Sequence, residues 1–505
     1  MGNNGGPLQL GPERLPDALA RYLASTNPWW QGGQVPDALP YRRWAFPLLL
    51  KRLTTGLAPG VVLRGPRQVG KSTLQAQLVG ELIAARGVPA QHVLRVQFDR
   101  IPSLRGLGDP LLSVVRWFQD HILGSSLHEA ARSSSQPVYI FLDEAQNVRD
   151  WAPQLKSILD TWPVRVMLTG SSSLRIAVGQ DSLAGRVSTV ELGPLLLREI
   201  AGLRLGEELK PLLPENGLEP LLHQGFWQEL ARAGRLRHHV RDKAFAAYAE
   251  RGGYPRAQVP TEVSWPEVAD QLSEDVIRRA INHDLRLGPR GRRRDEGLLQ
   301  ALFRLACRYA GQAPARPLYT QELQRALQAG VPWQRILTYL RFLDDSLLVR
   351  LVAPLEVRLR REQSPPKLCL ADHALRAAYL QEQVPLTAEG LQLSPHLRDL
   401  AGHLAESVVG SFLVGIPGLE VAYLPARPDQ PEVDFVLTIG YRRIPLEVKY
   451  RHRVDGEADT VGLRSFLDQP HFEAPFGLLV TLTDDVQVRD PRIVPISLPS
   501  LLLMR

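Results

Sequence analysis

Cysteine occurs only twice in these 505 residues, at Cys307 and Cys369. Two thiols are too few for a disulfide framework or a four-cysteine zinc site, so neither device stabilises the fold. Long apolar runs are missing as well. The longest, such as Phe46 to Leu50, are broken by charge well short of the roughly twenty residues that cross a bilayer, which excludes a membrane span. The amino terminus carries no charged region followed by an apolar stretch. These absences predict a reducing, cytoplasmic location. Lysine is the third scarcity: seven of the 60 basic residues are lysine and the rest are arginine. A compact ammonium on a flexible stem is not replaced isosterically by the wide, planar guanidinium. A chain that avoids lysine so strongly therefore draws the eye to where it keeps one, and two of the seven, Lys71 and Lys449, stand in patterned surroundings.

What is present is ordinary in bulk. Hydrophobic residues make up 44% and charged residues 22%, as in globular proteins generally. The length predicts roughly three or four domains with proper cores. The net charge of +7 favours a polyanionic partner, although arginine enrichment from base composition explains part of it.

Lys71 closes Gly65-Pro66-Arg67-Gln68-Val69-Gly70-Lys71-Ser72, followed by Thr73. This fits the phosphate-loop pattern GxxxxGK[ST]. Gly60 to Arg64 reads as a short buried strand and Thr73 to Ala85 as the helix after the glycine turn. In that context the loop amides and the helix N-terminus face nucleotide phosphates, Lys71 reaches the β and γ phosphates, and the Ser72 hydroxyl meets Mg2+. Residues 65–73 are thus expected to bind ATP. A second buried strand, Val138 to Leu142, ends in Asp143-Glu144, the Walker B form. Asp143 is expected at Mg2+, and Glu144 at the attacking water.

A third buried run, Val164 to Leu168, ends in Thr169-Gly170-Ser171-Ser172. Thr169 and Ser171 are candidates to bond the water or the γ-phosphate beside Walker B. Ser182 to Arg186 then offers Arg186 either as a charge stabiliser at the nucleotide of a neighbouring copy, in a homo-oligomer, or as a surface arginine. Strands near Val93–Phe98 and Val187–Leu192 complete a five-stranded α/β sheet.

Gly65 to Thr73, Phe141 to Gln146, Leu168 to Ser172, Ser182 to Arg186, Pro194-Leu195 and Arg198-Glu199 together resemble a widespread prokaryotic family of AAA-type ATPases fused to a carboxy-terminal domain of unknown function. Gly252-Gly253-Tyr254-Pro255 is similar to the family's lid signature. Pro366-Lys367-Leu368 with Asp372 matches its segment before the last domain. The resemblance runs from about Tyr41 to near the end of the chain. It leaves out Asn27-Pro28-Trp29-Trp30, whose tryptophans are expected to pack.

Leu203 to Asp284 has helical character, with loops at Pro211–Pro214 and around Gly252, as a lid would. Tyr254 and Pro255 are placed either at an adenine or in a turn fixed by the glycines. Leu298–Tyr309, Thr320–Ala329, Trp333–Asp344 and a β-prone tail Leu347–Leu351 read as a winged helix-turn-helix, and the family is similar. Arg286, Arg290, Arg292, Arg293 and Arg294 form the densest basic run, either a DNA-phosphate contact or a solvated linker.

From about Pro395 a new unit begins, with a helix carrying Glu406 and strands Val421–Leu424, Val433–Thr438 and Ile444–Tyr450. Glu447 and Lys449 lie two apart on a strand, so both emerge on one face toward Asp434. Asp434 and Glu447 can then hold one or two Mg2+ ions while Lys449 orients water, which is the chemistry of phosphodiester cleavage. The set resembles the PD-(D/E)xK restriction-endonuclease-like fold, with Glu406 matching its helix acid and Val433 in place of the motif's proline. Helix Val461–Leu467 completes the core, and Arg451 and Arg453 are placed to meet phosphate.

The expected class is α/β. Its parts are an extension (1–45), a P-loop AAA-type ATPase core (46–201), a helical lid (202–290), a winged helix (291–385) and a restriction-endonuclease-like α/β domain (395–505). The leading functional reading is an ATP-driven, Mg2+-dependent DNA-processing enzyme. An ATP-switched scaffold or regulator without cleavage stays open beside it.

Overall fold

The structure is a computed structural model that describes residues 15–35, 39–98, 107–148, 150–170, 183–214, 217–258, 262–283, 295–356, 364–428 and 430–505. The chain divides into two compact units: residues 1–65 with 70–192, and residues 66–69 with 193–505.

In the first unit five short strands form one parallel sheet: β1 (Gly60–Arg64), β2 (Val93–Gln97), β3 (Val138–Asp143), β4 (Val164–Gly170) and β5 (Val187–Glu191), in the order β2-β3-β4-β1-β5. In β1 to β4 the runs of valine, leucine and isoleucine are almost wholly buried, as strands covered on both faces require, whereas β5 is mostly half-buried. The five strands expected from sequence are all present. The helix after the phosphate loop begins at Lys71 and runs to Gly80, continuing as a wider turn over Glu81–Ala85.

β2 is an edge strand, and the amino-terminal segment covers its open side. Asn27 pairs with Arg95 as a strand would, accepting from its amide at 2.7 Å and donating to its carbonyl at 2.8 Å. The indole N–H groups of Trp29 and Trp30 both donate to the Val93 carbonyl, at 3.0 and 2.9 Å. The tryptophans thus pack, as expected, and they also satisfy an edge that would otherwise template pairing with another chain.

In the second unit helices precede a seven-stranded sheet. Its strands are β6 (Val349–Pro354), β7 (Lys367–Leu370), β8 (Glu420–Leu424), β9 (Val433–Ile439), β10 (Arg442–Lys449), β11 (Gly477–Thr481) and β12 (Ile493–Ser497), ordered β12-β11-β10-β9-β8-β6-β7. The three helices read as helix-turn-helix form over Glu296–Arg308, Arg316–Leu327 and Trp333–Asp345. The strands after them differ from a free-standing wing. β6 and β7 pair antiparallel, and Ala353-Pro354 of β6 continues alongside Ala422-Tyr423 of β8. The hairpin therefore extends the terminal sheet and brings β7 into the same layer as β9 and β10.

Tyr254 is fully buried, which favours the turn over the adenine contact. Gly253 donates its amide to Asp372 Oδ2 at 2.5 Å, and Asp372 Oδ1 caps the next helix through the Ala374 amide at 2.8 Å. A Cβ at Gly252, whose φ is 72°, would stand 2.2 Å from Asp372 Oδ1. The two signature segments, far apart in sequence, are one packing unit. The arginine run 286–294 and Ser171 lie outside the described residues.

Candidate functional site

The loop at the end of β1 turns through two left-handed residues, Gln68 (φ 63°) and Gly70 (φ 93°). The second suits glycine because it carries no Cβ to clash there. In the first unit Lys71 is 6% exposed, and its Nζ donates to the Gly65 carbonyl at 3.0 Å, folded back over the loop. Parallel pairing sets Asp143 of β3 against Thr169 of β4, and Leu63 of β1 against the same threonine, so all three strand ends share one edge. There Ser72 Oγ donates to Asp143 Oδ2 at 2.8 Å, and Thr169 Oγ1 donates to Asp143 Oδ1. Asp143 is 3% exposed and Thr169 fully buried.

A hydroxyl and a carboxylate oxygen at hydrogen-bond distance, at the N-terminus of the loop helix, make a donor set that fits Mg2+ carried by ATP. Ser72 and Asp143 would hold the ion, Lys71 and the loop amides the phosphates. Glu144 follows in a left-handed conformation, φ 54°, with its amide donating to the Thr169 carbonyl at 3.0 Å. A non-glycine residue there is strained, and such strain gathers at working sites. Thr169 itself holds the Asp143 carboxylate through its hydroxyl. Arg186 stands at the start of β5, beside Gly60, on the edge of the sheet away from the phosphate loop. Its guanidinium forks onto Asp160, with Nε at 2.5 Å and Nη2 at 3.0 Å.

The second unit brings the carboxy-terminal candidates together. β9 and β10 run antiparallel with Leu446 opposite Phe435, which leaves Asp434 beside the end of β10. The Val448 amide donates to Asp434 Oδ2 at 2.8 Å. Lys449 Nζ lies 2.8 Å from Glu447 Oε2. Asp434, Glu447 and Lys449 border one cavity of about 280 Å³, together with Glu432 and Asp459. Burial, then the nearby Asp434 charge, pushes the Glu447 carboxyl up to about 8, with Lys449 pulling the other way. Burial lowers Lys449, but Glu447 outweighs it and leaves the ammonium above its usual value. Arg451 is ion-paired with Asp459.

One residue here was assigned no role from sequence. Lys367, at the start of β7, is 1% exposed, with Nζ 3.2 Å from Glu406 Oε2 and 3.4 Å from Asp434 Oδ1. Its partners sit 39 and 67 residues away in sequence, beyond any local pattern. The signal that could have found it is rarity, since the chain has only seven lysines and Lys71 and Lys449 already stand at candidate sites. Among the described residues no group of three or more His, Cys, Asp or Glu side chains is arranged to hold a metal ion.

Residues 58–201 match the family model described as an AAA domain, and residues 242–385 match a domain of unknown function, DUF8612. An uncharacterized protein of Mycobacterium tuberculosis is 32% identical over 146 residues, which are 28% of this chain and 27% of that protein. An uncharacterized protein of Methanocaldococcus jannaschii is 28% identical over 155 residues, 31% of this chain and 30% of that one. The chain thus spans under a third of the length of these curated relatives. Among solved structures it is similar to the Walker-type ATPase of Pyrococcus abyssi (18% identity, 67% of this chain and 96% of that chain, TM-score 0.35). It is also similar to C. elegans PCH-2 (16% identity, 48% and 60%, TM-score 0.25). The matched residues 58–201, with their loop, Walker B strand and parallel sheet, make up a P-loop ATPase domain of the AAA type.

Proposed function

We propose that this protein hydrolyses ATP in its first unit and cleaves DNA phosphodiester bonds with a divalent cation in its second. The observation that carries the second half is the Lys449 ammonium 2.8 Å from the Glu447 carboxylate, on a cavity that Asp434 also borders. Two buried carboxylates facing one cavity fit Mg2+, which is bound through one or two carboxylates with water and phosphate filling the other positions. Asp434 and Glu447 would hold the ion. When bound, it would supply a more acidic water and offset charge on the phosphate. Lys449 then donates hydrogen bonds to a water or a phosphate oxygen at the mouth of the cavity.

In the first unit Lys71 offers its ammonium to the terminal phosphates, and Glu144 orients the attacking water. DNA as the partner draws support from the net charge of +7. A groove of about 290 Å³ between helices Glu296–Arg308 and Arg316–Leu327 adds to it, being lined by Arg304, Arg308 and Arg325 against one acid, Glu322, which pairs with the last two. Guanidinium groups there would displace counterions from a phosphate backbone, so binding should weaken with salt.

The test has two arms. Lys71→Ala and Glu144→Gln should each abolish ATP hydrolysis, and unchanged turnover in both removes the first assignment. Linear and branched DNA incubated with Mn2+ should be cut by the wild-type chain and left intact by Asp434→Ala or Lys449→Ala. Absence of cutting by the wild type, with ATP hydrolysis intact, leaves an ATP-switched DNA- or protein-binding scaffold or regulator instead.

A further inference from the structure

Lys367 is surrounded on every side that matters to a charge. Glu406 Oε2, Asp434 Oδ1 and Glu432 Oε1 lie 3.2, 3.4 and 3.7 Å from its Nζ. The rings of Phe435 and Tyr423, at 4.9 and 5.8 Å, close the space around it. Three carboxylate oxygens within 3.7 Å of this buried nitrogen supply its counter-charge. A buried ammonium held by three carboxylates is fixed in place, because leaving would strand the acids without a counter-charge.

Its partner Glu406 is held at Oε2 by Lys367, and its Oε1 lies 3.7 Å from His403 Nδ1. Glu406 also does not border the cavity that Asp434, Glu447 and Lys449 line. The open side of the cluster is therefore the Asp434–Glu447 side. The charges agree with that division. Four acids, Glu406, Glu432, Asp434 and Glu447, stand against two ammonium groups, Lys367 and Lys449, so carboxyl groups outnumber fixed cations here, while Asp459 is already paired with Arg451. Two-metal sites for phosphodiester chemistry set their ions about 3.5–4 Å apart. Here a second ion shared by Glu406 and Asp434 Oδ1 would have to enter ground the ammonium holds.

We propose that Lys367 is a positioning residue that takes the place of a second cation, fixing Glu406 and one oxygen of Asp434, so that the site accepts a single divalent ion at Asp434 and Glu447. This rests on the reading of the cluster as a divalent-cation site. Glu406, the helix acid, then serves Lys367 and acts on the ion only through it.

The experiment is a Mn2+ titration of the full chain without nucleotide, followed by the electron paramagnetic resonance signal of free Mn2+. The chain carries Asp143→Asn to silence the first unit. One ion per chain should bind, and Asp434→Ala should lose it. In Glu406→Gln the ion should remain, weakened by about tenfold, as expected for a group outside the coordination shell. Lys367→Met removes the charge at similar volume and should admit a second ion, whereas Lys367→Arg should restore one. Two ions in the unaltered site, or loss of the ion in a folded Glu406→Gln chain, overturns the proposal. Glu406→Gln decides even if Lys367→Met does not fold. Absence of any bound ion removes both this proposal and the cleavage reading, whereas one bound ion without DNA cleavage removes the cleavage reading alone.

Discussion

Asp143 has each of its carboxylate oxygens gripped by a different hydroxyl, Ser72 on Oδ2 and Thr169 on Oδ1. Ser72 must exchange that bond for Mg2+ when ATP arrives, which leaves Thr169 as the group that keeps the carboxylate aimed. Losing a hydrogen bond to a charged group costs about 1.5–3 kcal/mol. If that loss falls on the aim of Asp143, Thr169→Val should slow ATP turnover by about tenfold to a hundredfold, at about 1.4 kcal/mol per factor of ten. Steady-state turnover at saturating ATP and Mg2+ checks it, with a thermal melt to establish that the variant is folded. Unchanged turnover would return Thr169 to a packing role. The same scale explains why Lys71 tolerates burial: its Nζ is parked on the Gly65 carbonyl at 3.0 Å, one bond away from where phosphate would take over.

At the scale of elements, helix His238–Arg251 is tied by an ion pair to the segment that joins β11 to β12. Arg241, 4% exposed, places Nη2 2.7 Å from Asp484 Oδ2, while Ser497 Oγ donates to Asp484 Oδ1 at 2.5 Å. Burial raises the Asp484 carboxyl, but the bonds from Arg241 and Ser497 outweigh it and leave the group below its usual 3.8. A carboxylate whose folded value is depressed contributes stability that is present above the unfolded value and lost as pH falls through the folded one. Asp484→Asn should therefore cost about 2 kcal/mol at neutral pH, scaled down from a fully buried pair because Asp484 is partly exposed. The gap between the two proteins should narrow as pH falls below about 4. Urea unfolding at neutral and acid pH measures it, and a gap of the same size at both would assign the loss to packing.

Elements also show where sequence reading succeeds. β1, its loop and the following helix are contiguous, so spacing alone carries their placement. Glu447 and Lys449 are legible for the same reason, since alternation along β10 puts both on one face. Asn27 closes an edge 68 residues away, and Lys367 meets acids on a helix and on β9 only because β8, β6 and β7 lie side by side. No local period encodes such pairings. Thr169 sits between the cases: its place beside Walker B is local, but its bond to Asp143 depends on strand order.

For the whole molecule, the side chains named at the two candidate sites come from different units and none is shared. Lys71, Ser72, Asp143 and Thr169 belong to the first, and Lys367, Glu406, Asp434, Glu447 and Lys449 to the second. Local chemistry at one should then survive loss of the other, and any dependence between them must travel through a nucleotide-driven change. Lys71→Ala should abolish ATP hydrolysis yet bind Mn2+ at the second site with wild-type affinity, and cut DNA at the wild-type rate when ATP is left out. Asp434→Ala should abolish cutting and keep basal ATP turnover. With ATP added, a change in cutting rate that appears in the wild type and is missing from Lys71→Ala would identify coupling, because only the first chain can use the nucleotide. If Lys71→Ala instead loses Mn2+ binding without ATP present, the sites are not independent, since a substitution in one unit would then have disturbed carboxylates held in the other.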